Sequence, residues 1–229
     1  MSLIEVSRVT KDYLDGKTVI QALRGVDLSI EKGEFSAVAG PSGSGKTTLL
    51  NLIGGLDQPT GGSIHLDGIE LSVLKPRQLH EMRLHHIGFV FQAYNLIPVL
   101  TARENVEFTM LLQGVAPRER KARALEMLEE VGLADEANRR PPAMSGGQQQ
   151  RVAVARAIVT KPGIVLADEP TANLDSTTGA GLLDLMQNLN REYGVTFLFS
   201  THDPMVMEYS RRLIRLRDGQ IKSDETRST

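Results

Sequence analysis

The sequence contains no cysteine, and its charges almost cancel. Without cysteine the chain can form no disulfide, bind no zinc through thiolates and use no thiol nucleophile, so we expect a reducing compartment. There are 26 basic and 28 acidic residues, with a formal net charge of −2. This balance provides no broad positive field for nucleic acid or anionic lipid, and we expect no nucleic-acid partner.

Long hydrophobic runs are also missing. The N-terminal residues 1–6 lack the basic stretch and the long apolar core of a signal peptide. No uncharged apolar run approaches the roughly 18 to 20 residues that cross a bilayer. We therefore expect a soluble chain whose membrane role, if it has one, depends on a partner.

Short apolar segments alternate with longer helical patterns, which is typical of an α/β fold with a parallel sheet. The first part indicates antiparallel strands instead, because Ile4–Val9 alternates, Asp15-Gly16 favours a hairpin turn and Val26–Ile30 places its apolar residues on one face. Compact apolar runs that end at glycine or polar residues predict buried strands, and these runs are 35–39, 87–91, 164–167 and 197–200.

Helical periodicity dominates the middle of the chain. It predicts helices over 101–112 and 118–131, the second with Leu125, Leu128 and Val131 on its buried stripe. We interpret 1–229 as a single domain with a core of 1–92 and 161–229 and an inserted helical subdomain of 93–160. Residues 223–229 are expected to be a frayed tail.

A glycine-rich loop lies between the predicted strand 35–39 and a helical pattern over 46–53. It matches the Walker A pattern, and it reads Gly40, Pro41, Ser42, Gly43, Ser44, Gly45, Lys46 and Thr47, with Thr48 following. Glycines allow backbone N–H groups to surround a phosphate at the positive end of the next helix. Lys46 is predicted to reach the β- and γ-phosphates of ATP, and the Thr47 hydroxyl to bind Mg²⁺.

Two adjacent carboxylates follow the predicted strand 164–167. A phosphate loop needs a carboxylate on a neighbouring strand to hold Mg²⁺, and Asp168 suits that role. Glu169 is then expected to act as the general base towards the attacking water. These motifs together predict a P-loop NTPase core, but they do not distinguish kinases, GTPases, helicases and transport ATPases.

A third motif makes the prediction more specific. Ser145, Gly146, Gly147 and Gln148, preceded by Met144, open a helical pattern shortly before the carboxylate strand. This stretch resembles the signature of ABC ATPases, with methionine where leucine is usual. The family's remaining motifs appear in order along nearly the whole chain.

The resemblance implies roles for four further residues. Gln92 is similar to the glutamine that touches Mg²⁺ and links the nucleotide to the helical subdomain, and His202 to the switch histidine at the γ-phosphate. Asp175 resembles the aspartate that acts across the dimer interface. Tyr13 matches the aromatic residue that stacks on adenine.

In ABC ATPases two subunits pair head to tail. The resemblance therefore implies a homodimer in which Ser145 and Gly147 of one copy cap the γ-phosphate bound by the other. It also implies a membrane permease partner and a peripheral location on the cytoplasmic face of the membrane. The lipoprotein-release and macrolide-export type is the most similar, which indicates export or lipid extraction. A regulatory ATPase of the cell-division type, which transmits force without transport, stays open as the alternative.

Overall fold

The computed structural model describes residues 2–16 and 18–227, and strands alternate with helices along most of them. The strands are β1 (Ser2–Asp15), β2 (Thr18–Glu31), β3 (Phe35–Ala39), β4 (Gly61–Leu66), β5 (Ile69–Glu70), β6 (Ile87–Phe91), β7 (Ile164–Asp168), β8 (Thr196–Thr201), β9 (Arg212–Arg217) and β10 (Gln220–Thr226). The α-helices are α1 (Lys46–Ile53), α2 (Pro76–His86), α3 (Ala102–Leu112), α4 (Pro117–Glu130), α5 (Gly146–Ile158), α6 (Ser176–Tyr193) and α7 (Pro204–Tyr209).

These elements group into two compact units, Met1–Arg83 with Thr196–Thr229 and Leu84–Val195. In the first unit β1 pairs antiparallel with β2 on one side and β4 on the other. The β1–β2 turn joins Asp15 to Thr18, with Gly16 at a φ of 60°. The predicted hairpin is therefore confirmed.

Strand β3 lies between two parallel neighbours in the first unit. Val38 of β3 is in register with Ser200 of β8 and with Ile214 of β9. All five residues of β3 are buried, and the Phe35 ring packs against Phe197 and Phe199 at centroid distances of 5.5 and 4.8 Å. Such aromatic pairs each stabilise a fold by roughly 0.5–1.5 kcal/mol beyond burial. The strand that leads into the glycine-rich loop is thus firmly anchored.

The second unit contains the parallel pair β6 and β7 together with helices. Ile87 is in register with Ile164, and Phe91 with Asp168. Helix α5 packs against α3, α4, α6 and β6. The predicted strands 87–91 and 164–167 and both predicted helices are present, whereas the proposed subdomain boundary of 93–160 stays a prediction.

Two expectations about these elements are wrong. Leu125 is 39% exposed, and α4 instead buries Ala124, Leu128 and the following Val131. The small side chain of Ala124 lets α4 pack closely at a position where a leucine side chain would take up the space.

The expected frayed tail is also wrong for 223–226, which belong to β10. Arg212 holds that strand through two hydrogen bonds to Asp224, each 2.7 Å long. Residues 228–229 lie outside the described part.

Within the described ranges, the structure has no helix whose length and apolar character would let it traverse a lipid bilayer.

Candidate functional site

The glycine-rich loop connects β3 to α1 in the first unit. Gly43 and Gly45 have φ values of 77° and 102°, which residues with a side chain rarely adopt. A Cβ atom on Gly40 would lie 2.1 Å from the carbonyl oxygen of Leu216, so only glycine fits there. The loop therefore requires glycine both for its turns and for its close contact with β9.

Lys46 is buried within this loop, with 7% of its surface exposed. Its Nζ donates hydrogen bonds to the carbonyl oxygens of Gly40 at 2.8 Å and Pro41 at 3.0 Å. The ammonium is thus held by the backbone that surrounds it. A fixed cation inside a glycine loop is suited to an anionic ligand.

The N-terminal end of α1 faces the same loop. Gly45 is its N-cap and has no side chain with which to cap the helix, so the positive end of the helix dipole faces the loop without a side-chain cap. Ser44 Oγ is buried and has no hydrogen-bond partner among the described residues. A buried cation, an uncapped helix end and an orphaned hydroxyl together fit a polyphosphate.

His202 follows the strand next to this loop. Ala39 of β3 is in register with Thr201 of β8, and Gly40 N donates to Thr201 O at 3.4 Å. Strand β8 and the loop therefore end at the same edge of the sheet, and His202, which is exposed, lies at that edge. His202 and the glycine-rich loop thus follow neighbouring strands at the same edge of the sheet, and the contact of His202 with the γ-phosphate stays a prediction.

Tyr13 lies near the end of the β1–β2 hairpin, in the same unit. It is 39% exposed, and its register partner Ile20 is 49% exposed. Directly paired residues of antiparallel strands project from the same face. The hairpin therefore presents an aromatic and an aliphatic side chain next to each other, which suits a planar apolar ligand.

The two predicted carboxylates end β7 in the second unit. Asp168 is the last residue of the strand and Glu169 follows at a φ of 47°, an uncommon backbone conformation for a residue other than glycine. Because Phe91 pairs with Asp168, Gln92 leaves the neighbouring strand at the same edge. Asn173 Nδ2 donates to Gln92 O at 2.9 Å, so the loop after β7 also holds the Gln92 backbone.

Ser145 is the N-cap of α5. Its Oγ accepts from Gln148 N at 3.2 Å, and Gln148 Oε1 accepts from Ser145 N at 2.9 Å, which forms a capping box. Cβ atoms on Gly146 and Gly147 would lie 2.7 Å from Tyr94 Oη and 2.5 Å from Thr178 Cγ2. Both glycines therefore allow close packing against these side chains, and the predicted start of a second helix at this motif is confirmed.

Asp175 is the N-cap of α6. Its Oδ2 accepts from Thr178 Oγ1 at 2.6 Å and its Oδ1 from Thr178 N at 3.0 Å. The hydrogen bond from the Thr178 side chain lowers the pKa of the Asp175 carboxyl most, and the one from the Thr178 backbone lowers it further. The pKa is therefore held below its usual range. Thr178 also faces Gly147, so it packs against the Ser145–Gln148 segment while it fixes Asp175.

The predicted site residues form one set in each unit. The first unit holds Tyr13, His202 and the loop 40–48, and the second holds Gln92, Asp168, Glu169, Asp175 and residues 145–148. The sequence did not predict the roles of Lys11, Asp57 and Gln150. Asp57 binds both Lys11 and Tyr13, and Gln150 binds the carbonyl oxygen of Pro170, which follows Glu169. No local motif marks Lys11 and Asp57, since they are 46 residues apart.

A glycine-rich loop between a buried strand and a helix, a strand that ends in two carboxylates and a capped Ser-Gly-Gly-Gln helix are together typical of ATP-binding cassette ATPases. The model of the ABC transporter family matches residues 23–172. The chain therefore belongs to the ABC transporter family, as an ATP-binding and ATP-hydrolysing cassette, and both the predicted family and the predicted fold class are confirmed.

Three comparisons with two relatives illustrate the similarity. An uncharacterised ABC transporter ATP-binding protein of Methanocaldococcus jannaschii, MJ0796, is 47% identical over 227 residues, 97% of each chain. A solved dimer of MJ0796 in a post-hydrolysis state, with ADP and phosphate bound, has a TM-score of 0.91 at 45% identity and covers 99% of each chain. A macrolide export ATP-binding/permease protein of Marinobacter nauticus is 45% identical over 97% of this chain and 34% of its own length.

Proposed function

We propose that this cassette binds ATP with Mg²⁺, hydrolyses it between two copies of the chain, and thereby powers a membrane permease in export or in the extraction of lipoprotein or lipid. The observation that carries the proposal is the buried Lys46 ammonium, held by two loop carbonyls in front of the uncapped end of α1. That arrangement fits the phosphates of a nucleotide.

Residues of the first unit bind the nucleotide in this proposal. The backbone and side chains of the loop 40–48 surround the phosphates, and Lys46 neutralises charge on the β- and γ-phosphates. Tyr13 stacks on the adenine, and His202 contacts the γ-phosphate.

The chemical step belongs to the second unit. Glu169 accepts a proton from the attacking water as the general base. Gln92 and Asp168 would hold Mg²⁺ here, and Thr47 of the first unit offers a further hydroxyl oxygen. All three provide the oxygen ligands that this ion prefers. When bound, the ion neutralises the charge that develops on the phosphate oxygens during transfer.

A second copy of the chain completes the site. The chain carries one glycine-rich loop and one Ser145–Gln148 motif, and the solved relative is a dimer with ADP and phosphate. We propose that Ser145, Gly146, Gly147 and Gln148 of one copy clamp the γ-phosphate bound by the other, while Asp175 acts across the interface. Opening after hydrolysis is then the mechanical step.

The variant Glu169→Gln tests this scheme, because it removes the base but keeps the shape of the side chain. We expect it to bind ATP, to lose most of its hydrolysis and to accumulate as an ATP-bound dimer, measured by light scattering on a sizing column. Asp184→Asn, which replaces an acidic side chain on α6 outside the predicted site, is the matched control. Hydrolysis by Glu169→Gln at the wild-type rate would show that Glu169 is not the base.

The permease partner is supported by the relatives, since the macrolide export protein joins an ATP-binding part to a permease in one chain. Tagged Glu169→Gln, purified with Mg-ATP from detergent-solubilised membranes of the source cells, tests it. Recovery of a membrane protein supports the permease and the cytoplasmic face of the membrane as the location. Recovery of soluble proteins alone contradicts both.

A further inference from the structure

A compact group of charges surrounds Tyr13 in the first unit. Tyr13 Oη donates to Asp57 Oδ2 at 2.9 Å, and Lys11 Nζ donates to Asp57 Oδ1 at 2.8 Å. The same Lys11 Nζ lies 4.8 Å from the centroid of the Tyr13 ring. The three side chains thus form a closed triangle, which we name the Tyr13 clamp (Lys11, Tyr13 and Asp57).

The clamp is anchored at both of its charged ends. Asp57 Oδ1 also accepts from Gln58 N at 2.7 Å, and Lys11 Nζ also donates to Gln58 O at 2.8 Å. The Lys11 side chain is only 12% exposed, whereas Tyr13 keeps 39% of its surface accessible. Lys11 is therefore the more buried of the two side chains, and its ammonium lies over the Tyr13 ring.

The contacts shift the pKa values of Tyr13 and Asp57 in opposite directions. Burial raises the pKa of the Tyr13 phenol, and the hydrogen bond to Asp57 raises it further. Burial opposes the ionisation of Asp57, but hydrogen bonds from Lys11, Tyr13 and Gln58 outweigh it and hold the pKa of Asp57 below its usual value. Asp57 is thus an anion and Tyr13 a neutral phenol throughout the physiological range.

We propose that Lys11 and Asp57 are positioning residues for the nucleotide base: they fix the Tyr13 ring in one orientation, with the lysine cation on one face and the adenine on the other. The inference rests on the proposed role of Tyr13 in adenine binding. It adds the two residues that make an exposed tyrosine a rigid platform.

Two physical effects favour this arrangement. An exposed tyrosine loses side-chain rotamer freedom when a ligand stacks on it, and a ring that is already clamped has less freedom to lose. A cation against one face draws π-electron density towards itself, so the opposite face repels the π-cloud of adenine less. Both effects strengthen stacking and leave the phosphate contacts unchanged.

The clamp is also tied to the phosphate loop. Thr48 hydrogen-bonds the Tyr13 phenol, and it lies in the first turn of α1, two residues after Lys46. The base platform and the phosphate site are therefore attached to the same helix end. The Thr48 contact thus links the position of the Tyr13 ring to the start of α1.

The test compares ATP with inorganic tripolyphosphate, which has the phosphates but no base. Binding to the full-length purified chain is measured by calorimetry for ATP and by competition for tripolyphosphate. Asp57→Ala removes the anchor, Lys11→Met removes the cation but keeps an aliphatic stem, and Tyr13→Phe keeps the ring but frees it from Asp57. We expect each to weaken ATP binding about three- to tenfold, the range of an aromatic contact, and to leave tripolyphosphate unchanged.

The matched control is Asp67→Asn, which disrupts the exposed Lys32–Asp67 ion pair of 2.8 Å in the same unit. It should change neither affinity. Thermal unfolding of each variant identifies any loss of fold, and Tyr13→Phe, the mildest change, keeps the test valid if another variant does not fold.

The outcomes separate this inference from the proposed function. If Tyr13→Ala selectively weakens ATP but Asp57→Ala, Lys11→Met and Tyr13→Phe bind ATP like the wild type, the clamp is wrong and Tyr13 keeps its role. If Tyr13→Ala binds ATP normally, the proposed adenine contact fails, and the clamp fails with it. Equal weakening of ATP and tripolyphosphate by Asp57→Ala also overturns the inference, since the effect then acts through the phosphate loop.

Discussion

Gln150 Nε2 donates a hydrogen bond to the carbonyl oxygen of Pro170 at 2.9 Å, and the Gln150 side chain has no exposed surface. The same nitrogen also lies 3.4 Å from the carbonyl oxygen of Phe91. Pro170 directly follows Glu169, and Phe91 directly precedes Gln92. One buried amide of α5 therefore holds the backbone beside two predicted site residues.

Replacing Gln150 with methionine should destabilise the protein and slow hydrolysis. Methionine has a similar length but no N–H group, so the buried Pro170 carbonyl loses its donor, which destabilises a fold by about 1–3 kcal/mol. Because Glu169 then loses its support, kcat should fall more than the affinity for ATP. Chemical denaturation and steady-state kinetics measure the two effects.

The control is Asp184→Asn, which changes an exposed side chain on α6 outside the predicted site. This variant should keep the wild-type kcat. A Gln150→Met protein with wild-type stability and kcat would contradict the role that we assign to this contact.

Gly147→Ala should disturb the start of α5 through one identifiable collision. The new Cβ would lie 2.5 Å from Thr178 Cγ2, and the hydrogen bond from Thr178 Oγ1 to Asp175 prevents that side chain from turning away. We expect a loss of about 1–3 kcal/mol in the free energy of unfolding, typical of overpacking. Thermal or chemical unfolding measures it.

A second substitution identifies the cause. Thr178→Ser removes the methyl group but keeps the hydroxyl, so Gly147→Ala with Thr178→Ser should recover much of the loss. Gly181→Ala is the matched control, because Gly181 is inside α6 and its Cβ would meet Arg151 Nη2 at an ordinary 3.6 Å. It should stabilise the protein by about 0.5–1 kcal/mol. Absence of rescue would mean that the glycine is required for another reason.

Lys46→Ala should abolish useful nucleotide binding. The phosphates lose their nearest fixed cation, and charge-assisted hydrogen bonds contribute about 1.5–3 kcal/mol each, so affinity should fall by a hundredfold or more. Calorimetry with ATP measures it. Lys75→Ala, which changes an exposed lysine of the same unit, should bind normally. Tight ATP binding by Lys46→Ala would count against the phosphate site.

The pKa of Tyr13 gives a prediction about pH. A group whose pKa is raised on folding contributes stability that is fully present below its unfolded pKa of about 10 and is lost as the pH rises through the folded value. Alkaline difference spectra should show two tyrosines that ionise above the usual range, because burial raises the pKa of Tyr193 and burial together with the hydrogen bond to Asp57 raises the pKa of Tyr13. Asp57→Ala should lower the pKa of Tyr13, because it removes the anion that disfavours the phenolate. An unchanged alkaline titration would exclude the Asp57 contact in solution.

Sequence reasoning located most of the elements around the site. Buried runs such as 35–39 consist almost entirely of apolar residues, and the glycines, carboxylates and Ser-Gly-Gly-Gln motif adjoin them in the chain. Local patterns of this kind predict the structure well because β-strand burial and helix capping depend on only a few neighbouring residues.

Contacts between distant residues were not predictable in the same way. The Lys11–Asp57 pair and the anchoring of β10 by Arg212 depend on which strands become neighbours, and periodicity alone does not contain that information. Leu125 shows a third case, because two adjacent apolar stripes of α4 fit a helix equally well until packing selects the one with Ala124.

The late position of β9 and β10 in the chain has a consequence for synthesis. Gly219 N donates to Ser44 O at 3.0 Å, and Gly40 lies against Leu216 O, so the glycine-rich loop depends on residues translated long after it. A ribosome makes the chain from its N-terminus, and early segments begin to fold before later ones emerge. The contacts that Gly219 and Leu216 make with the glycine-rich loop therefore form only after β9 and β10 have left the ribosome.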